Sequence, residues 1–236
     1  MKIFAKIRFY WDALIIAFVI ALLMIPAITL FPGKKGAIMH HFNRVIIFLI
    51  GGRLLVVGEP DPDAEMILMN HQGIIDIIGM EALQKKHLRW IAKKELFDMP
   101  WFGHLLKNGD MISVDRENKK GLLKLIKDVE ESIEVKDRAV ALFPEGTRAR
   151  GQELLRFKAG SRFIADKLGL KVQPVVITGS KQLLNEHDRT AHSSTVKYTY
   201  LPTVDVKNSS DGWYEQIKES MQKVIDDELV HHSRSR

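Results

Sequence analysis

No cysteine occurs among the 236 residues. Disulfides, thiolate metal sites and a cysteine acyl-enzyme are therefore excluded, and the composition fits a reducing compartment. Internal repeats and low-complexity tracts are also missing, so the length and the 46% hydrophobic content fit one sizeable core, with or without an appendage. Charge is absent from Ala13 to Phe31, nineteen residues that as helix measure about 28 Å against a hydrocarbon core of about 30 Å. Lys2, Lys6 and Arg8 before it give the basic-then-apolar order of a signal peptide, but Phe31-Pro32-Gly33-Lys34-Lys35 offers no small-residue cleavage site, so the segment is expected to be kept. Pro26 is expected to kink it, leaving Ala13 to Ile25, about 20 Å, as uninterrupted helix too short to cross.

After a turn at Pro32 to Gly36, apolar residues recur at helical spacing at Ile38, Phe42, Val45, Ile46 and Leu49, with a polar face formed by His40, His41, Asn43 and Arg44. Gly51-Gly52 then stops the helix. Residues 1–52 are thus expected to form a two-helix hairpin in or on a membrane, with a single spanning anchor as the alternative, and residues 53–236 the rest of the protein. The net charge of +6 supports this division: Met1 to Pro60 holds seven Lys and Arg against two acidic residues, and the remainder 28 against 27. A basic excess confined to the most apolar segment suits an anionic membrane surface and argues against a nucleic-acid partner.

From Arg53 onward, strand-like and helix-like patterns alternate. Leu54 to Val57, Met66 to Met69, Leu88 to Ala92, Met111 to Val114, Ala139 to Phe143, Val172 to Ile177 and Val196 to Tyr200 read as strands. Helical spacing marks Ile74 to Leu83, Leu122 to Ile133, Ser161 to Leu168 and Trp213 to Leu229. The expected fold class is α/β, a central, mostly parallel or mixed sheet flanked by helices.

Two strand ends carry chemistry. Met66 to Met69 runs into Asn70-His71-Gln72-Gly73, with Asp76 five residues after the histidine. A sharp turn at Gly73 is expected to fold the carboxylate back onto one imidazole nitrogen, leaving the other to act as a base. Ala139 to Phe143 runs into Pro144-Glu145-Gly146-Thr147-Arg148, which suits a phosphorylated polyol. There Arg148 offers bidentate donors to phosphate, Glu145 and Thr147 offer hydrogen bonds to hydroxyls, and Gly146 allows close backbone approach. The tail His231-His232-Ser233-Arg234-Ser235-Arg236 reads as a solvated terminus, and no metal site is expected.

Asn70-His71 with Asp76, followed by Glu145-Gly146-Thr147-Arg148, resembles the glycerophospholipid acyltransferase family. Gly109 to Arg116 and Pro174-Val175-Val176-Ile177 match in the family's order, as does Ala92 to Leu96 with Pro100 to Gly103, so the resemblance covers roughly residues 54–180. Ser113 and Thr178 depart from it, in positions that concern packing or pocket shape. The resemblance implies that His71 is the general base and Asp76 its orienter, with Lys93, Arg116, Glu145, Gly146, Thr147 and Arg148 around a glycerol phosphate. It implies transfer of an acyl chain from a thioester, either acyl-CoA or acyl carrier protein, to lysophosphatidic acid at the cytoplasmic face of the cell membrane, with no cofactor. Glycerol 3-phosphate or a lyso-ornithine lipid is the alternative acceptor. A non-catalytic lipid-binding protein is the rival of another class.

Overall fold

The computed structural model describes residues 2–84, 86–115 and 119–231. Its first helix is unbroken from Ile3 to Leu30, 28 residues and about 42 Å, long and apolar enough to cross a membrane. It comprises α1 (Lys2–Phe18), a π-helical stretch (Val19–Met24) and α2 (Ile25–Leu30). The helix does not end at Ile25 as expected but continues through Pro26. The wider π turns precede the proline, where its missing N–H and its ring would otherwise disrupt the ladder. A tight turn at Pro32–Lys34 then brings α3 (Lys35–Leu49) back against this helix.

The helix is apolar on two opposite stripes. Ala5, Ile16, Val19, Ile25 and Ile28 are buried, while Phe4, Ile7, Trp11, Leu14 and Phe18 recur every three or four residues on the exposed side. Buried residues from Ile16 to Ile28 belong to the same hydrophobic cluster as Met69, Val175 and Tyr198 of the sheet. Polar ties reinforce the packing: Arg8 Nη2 donates to the Ile50 carbonyl at 2.9 Å and Asn108 Nδ2 to Thr29 Oγ1 at 2.8 Å. Lys35 lies 3.7 Å from Asp110.

The α/β part continues through β1 (Gly52–Val57), β2 (Met66–Met69), α4 (Ile74–Leu83), β3 (Arg89–Lys93), α5 (Lys94–Phe97), α6 (Phe102–Asn108), β4 (Ile112–Val114) and α7 (Lys119–Glu130). It ends with β5 (Val140–Leu142), α8 (Ala159–Leu168), β6 (Lys171–Thr178), α9 (Ser180–Leu183), β7 (Leu184–Asn185), β8 (Thr190–Ala191), β9 (Ser194–Tyr200), β10 (Val204–Asp205) and α10 (Trp213–His231). Eight strands form one mixed sheet in the order β1-β9-β6-β2-β5-β3-β4, with β10 beside β6, and β7 and β8 pair separately.

β2, β3, β4, β5 and β6 are parallel, so their carboxyl ends share one edge of the sheet. Strand alternation divides the core. Ile67 and Met69 face α4 and the hairpin, whereas Met66 and Leu68 face α7, α8 and α10. Helix α4 is held tightly to the sheet because Gly79 lacks a side chain: a Cβ there would meet Tyr198 Oη at 2.0 Å. That hydroxyl donates to the Ile75 and Asp76 carbonyls, each at 3.2 Å, fixing the first turn of α4.

Candidate active site

His71 leaves the carboxyl end of β2, and Asp76 is the third residue of α4. His71 Nδ1 lies 2.9 Å from Asp76 Oδ2, and the same oxygen accepts the N–H groups of Gln72 and Gly73. The turn is made with Gly73 extended, at φ −174°, so its role differs from the expected sharp bend. Its missing side chain makes room for Glu186 Oε1, which a Cβ would approach to 2.9 Å.

Complete burial acts to raise the Asp76 pKa, but the His71 hydrogen bond and charge, together with the two N–H groups, outweigh it and hold the carboxyl below its usual 3.8. The positive end of the α4 dipole adds to this. A carboxyl with a depressed folded pKa contributes stability above its unfolded value and loses it as pH falls through the folded one. Asp76→Asn is therefore expected to flatten the acid limb of stability, with the urea midpoints of variant and wild type converging as pH drops from about 5 to below about 3.

The histidine is fixed on every side. Its N–H donates to Glu145 Oε1 at 3.0 Å, and its carbonyl accepts the Ala149 N–H at 2.8 Å. The preceding residue, Asn70, is clamped to β6 by its side chain, whose Nδ2 donates to the Ile177 carbonyl and whose Oδ1 accepts the Ile177 N–H. The imidazole stacks on Phe143, centroids 3.8 Å apart and planes 9° from parallel. With Nδ1 engaged, Nε2 has no partner among the described residues, and His71 lines a cavity of about 360 Å³. Apolar walls from Ile20, Met24 and Met39 of the hairpin lead through this cavity to Lys93, Gly146, Thr147 and Arg148 beside His71.

Thus His71, Asp76, Lys93, Gly146, Thr147 and Arg148 converge at one sheet edge. Gly146 adopts φ 69°, a left-handed conformation that favours glycine. Lys94, beside Lys93, points elsewhere and pairs with Asp115 at 3.7 Å. Glu145 differs from its expected contact with a substrate hydroxyl: it is 1% exposed, and its oxygens accept the N–H groups of His71 and Leu155. It holds the two loops together from inside. Arg116 lies outside the described residues.

Two participants carried no signal in the sequence. Phe143 ends an apolar run that reads as core. Glu186 lies 112 residues from Ile74, whose N–H donates to its Oε1 at 2.6 Å, while its Oε2 pairs with Arg148 Nη1. No spacing rule spans that separation.

The profile of the family described as Acyltransferase matches residues 60–178. The 1-acyl-sn-glycerol-3-phosphate acyltransferase of Helicobacter pylori is 40% identical over 176 residues, 74% of each chain. That of Escherichia coli is 28% identical over 180 residues, 74% of this chain and 71% of its own. In fold, the chain is similar to the crystal structure of the 1-acyl-sn-glycerophosphate (LPA) acyltransferase PlsC from Thermotoga maritima. The TM-score is 0.75 at 21% identity, over 96% of this chain and 97% of that one.

Proposed function

The chain belongs to the acyltransferase family, and on that premise we propose that it acylates the 2-hydroxyl of 1-acylglycerol 3-phosphate from an acyl thioester, giving phosphatidic acid. The observation that carries this reading is His71, 2.9 Å from the buried Asp76, in the wall of an apolar cavity that also presents Lys93 and Arg148. The apolar part suits an alkyl chain and the two cations suit a phosphate.

A hydroxyl is a weak nucleophile at neutral pH. His71 Nε2 takes its proton as the oxygen attacks the thioester carbonyl, while Asp76 holds Nδ1–H and compensates the imidazolium. Collapse of the tetrahedral intermediate completes the C–O bond, breaks the C–S bond and returns the proton from Nε2 to the departing thiolate. This chemistry needs neither a metal nor a covalent enzyme intermediate. The donor is acyl-CoA or acyl carrier protein, and the acceptor resides in the cytoplasmic leaflet of the cell membrane, against which the hairpin lies.

Thiol release by the purified protein on a panel of acceptors tests the reading. Lysophosphatidate should drive release at least about tenfold faster than glycerol 3-phosphate, which lacks the acyl chain that the apolar walls would bury, or a lyso-ornithine lipid, whose head group forfeits the charge-assisted phosphate contact. Preference for either alternative, or no acceptor-dependent release, rejects it. In the same assay, Lys93→Ala and Arg148→Ala should raise the KM for lysophosphatidate by roughly ten- to a hundredfold, the equivalent of ~1.5 to 3 kcal/mol, with little change for the thioester. Equal effects on both substrates would assign these cations to the donor or the fold.

A further inference from the structure

A second cavity, of about 750 Å³, lies on the other side of Thr147 and Arg148, which line both. Its character is different: Gln72, Arg150, Lys181, Asn185, His187 and His192 contribute to its lining. Gln72 follows the catalytic base directly, and its N–H is bonded to the Asp76 carboxylate. The residue is only 5% exposed, yet neither Nε2 nor Oε1 of its side chain has a hydrogen-bond partner. Leaving both ends of a buried carboxamide unsatisfied costs enough that such a group calls for a ligand or ordered water.

A ligand that satisfies a carboxamide at both ends must present a donor to its oxygen and an acceptor to its N–H, which a chain with two amides does through the N–H of one and the carbonyl of the other. The acyl thioesters that serve as biological donors carry such a chain close to the reacting carbonyl: in the phosphopantetheine arm common to CoA and acyl carrier protein, an ethylene unit separates the sulfur from the first amide. The arm ends in a phosphate, and the cavity offers cations for it. Lys181 Nζ donates to the Arg150 carbonyl at 2.8 Å, which keeps the ammonium beside the Arg150 loop. The acidic residues of the lining are engaged within the protein, Glu186 with Arg148 and Ile74, and Asp188 with Asn185.

We propose that this second cavity receives the phosphopantetheine arm of the donor, the Gln72 carboxamide pairing with the N–H of one amide of the arm and the carbonyl of the other, and Arg150 and Lys181 receiving its phosphate. The inference rests on the acyltransferase reading above and deepens it. Donor and acceptor then reach His71 from opposite sides of the Thr147-Arg148 wall, so neither has to leave before the other binds.

The test uses the full chain with vesicle-borne lysophosphatidate and four donors of equal acyl length: acyl-CoA, acyl carrier protein, acyl-phosphopantetheine, and a thioester of a simple alkylthiol. Gln72→Met keeps the size of the side chain and removes its amide. It should raise the KM for the three arm-bearing donors by about tenfold and leave the alkylthiol thioester within about twofold of wild type. The double substitution Arg150→Ala and Lys181→Ala should raise the KM for the same three donors and not for the alkylthiol ester. Equal losses on all four donors would place Gln72 in support of the base, and unchanged donor constants would leave the cavity without this role; either overturns the proposal. A loss confined to acyl carrier protein or to acyl-CoA overturns it too, by assigning the surface to the carrier's protein body or to the nucleotide. If Gln72→Met does not fold by circular dichroism, the double variant alone decides. Wild-type protein that transfers from none of the four rejects the acyltransferase reading itself, a result distinct from an active enzyme indifferent to these substitutions.

Discussion

Turnover of His71→Ala should fall by about 100-fold or more, the usual contribution of a positioned general base and equivalent to ~2.7 kcal/mol of barrier. His71→Gln should be equally inactive, because a carboxamide cannot take the proton. The fold should survive, since Asp76 Oδ2 still accepts the Gln72 and Gly73 N–H groups and the backbone of residue 71 keeps its bonds to Glu145 and Ala149. Circular dichroism and lipid binding are the controls. Asp76→Asn should lower turnover by orders of magnitude as well, through a different route: the imidazole loses the acceptor at 2.9 Å that selects its tautomer and balances its charge. Both substitutions should act on kcat and leave the KM for lysophosphatidate within a few fold, because neither residue is assigned to the head group. More than about a tenth of wild-type turnover in His71→Ala would remove histidine from the proton transfer.

Much of this arrangement is legible in the sequence where local pattern and tertiary role agree. The run Met66 to Met69 is buried on both faces and ends in polar residues, so β2 and the placement of His71 at its carboxyl end follow from the run. Helix α4 spans the residues its apolar spacing marks, Ile74 to Leu83, and the pairing of His71 with Asp76 follows from that short-range geometry. Contacts between distant segments are another matter. The two-residue strands β7 and β8 are too short for periodicity, and their turn reads as polar loop, although it delivers Glu186 to the amino end of α4. The Glu145 to Arg148 loop is recognisable as polar and glycine-turned. Which of its side chains face outward depends on packing that the sequence does not display, and Glu145 is drawn inward by two backbone donors while Thr147 and Arg148 remain at the cavities. At Pro26 a local rule is overridden, because the π-helical stretch before it accommodates the ring.

Charging the exposed stripe of the hairpin should detach the protein from vesicles without unfolding it. Phe4, Trp11 and Phe48 are 77%, 62% and 80% exposed, so glutamate at these positions removes no core contact. Deleting residues 1–52 would be a poorer test, since Ile16, Val19, Met24, Ile25, Ile28, Ile46 and Ile47 lie in the hydrophobic cluster of the sheet and their loss would open it. Full burial of an aromatic or aliphatic side chain is worth about 1.5–3 kcal/mol, so three such groups inserting half-way account for roughly a hundredfold in vesicle affinity. The triple variant should lose about that much, and lose activity on bilayer-borne acceptor far more than on a short-chain soluble one. Although the helix is long enough to span, its ends are tied to one body: Arg8 to Ile50 and Ser193 at the start, Thr29 to Asn108 and Lys35 to Asp110 at the finish. Ile16, Val19, Met24, Ile25 and Ile28 are buried against that body in between, which suits a helix lying in one leaflet and exposing its outer stripe to acyl chains. Lys6 and Lys34 then share one membrane face, near anionic head groups. Because the chain has no native cysteine, Lys6→Cys and Lys34→Cys report this directly. An impermeant maleimide added to sealed vesicles should label both from the same side, and labelling from opposite sides would establish a spanning helix instead.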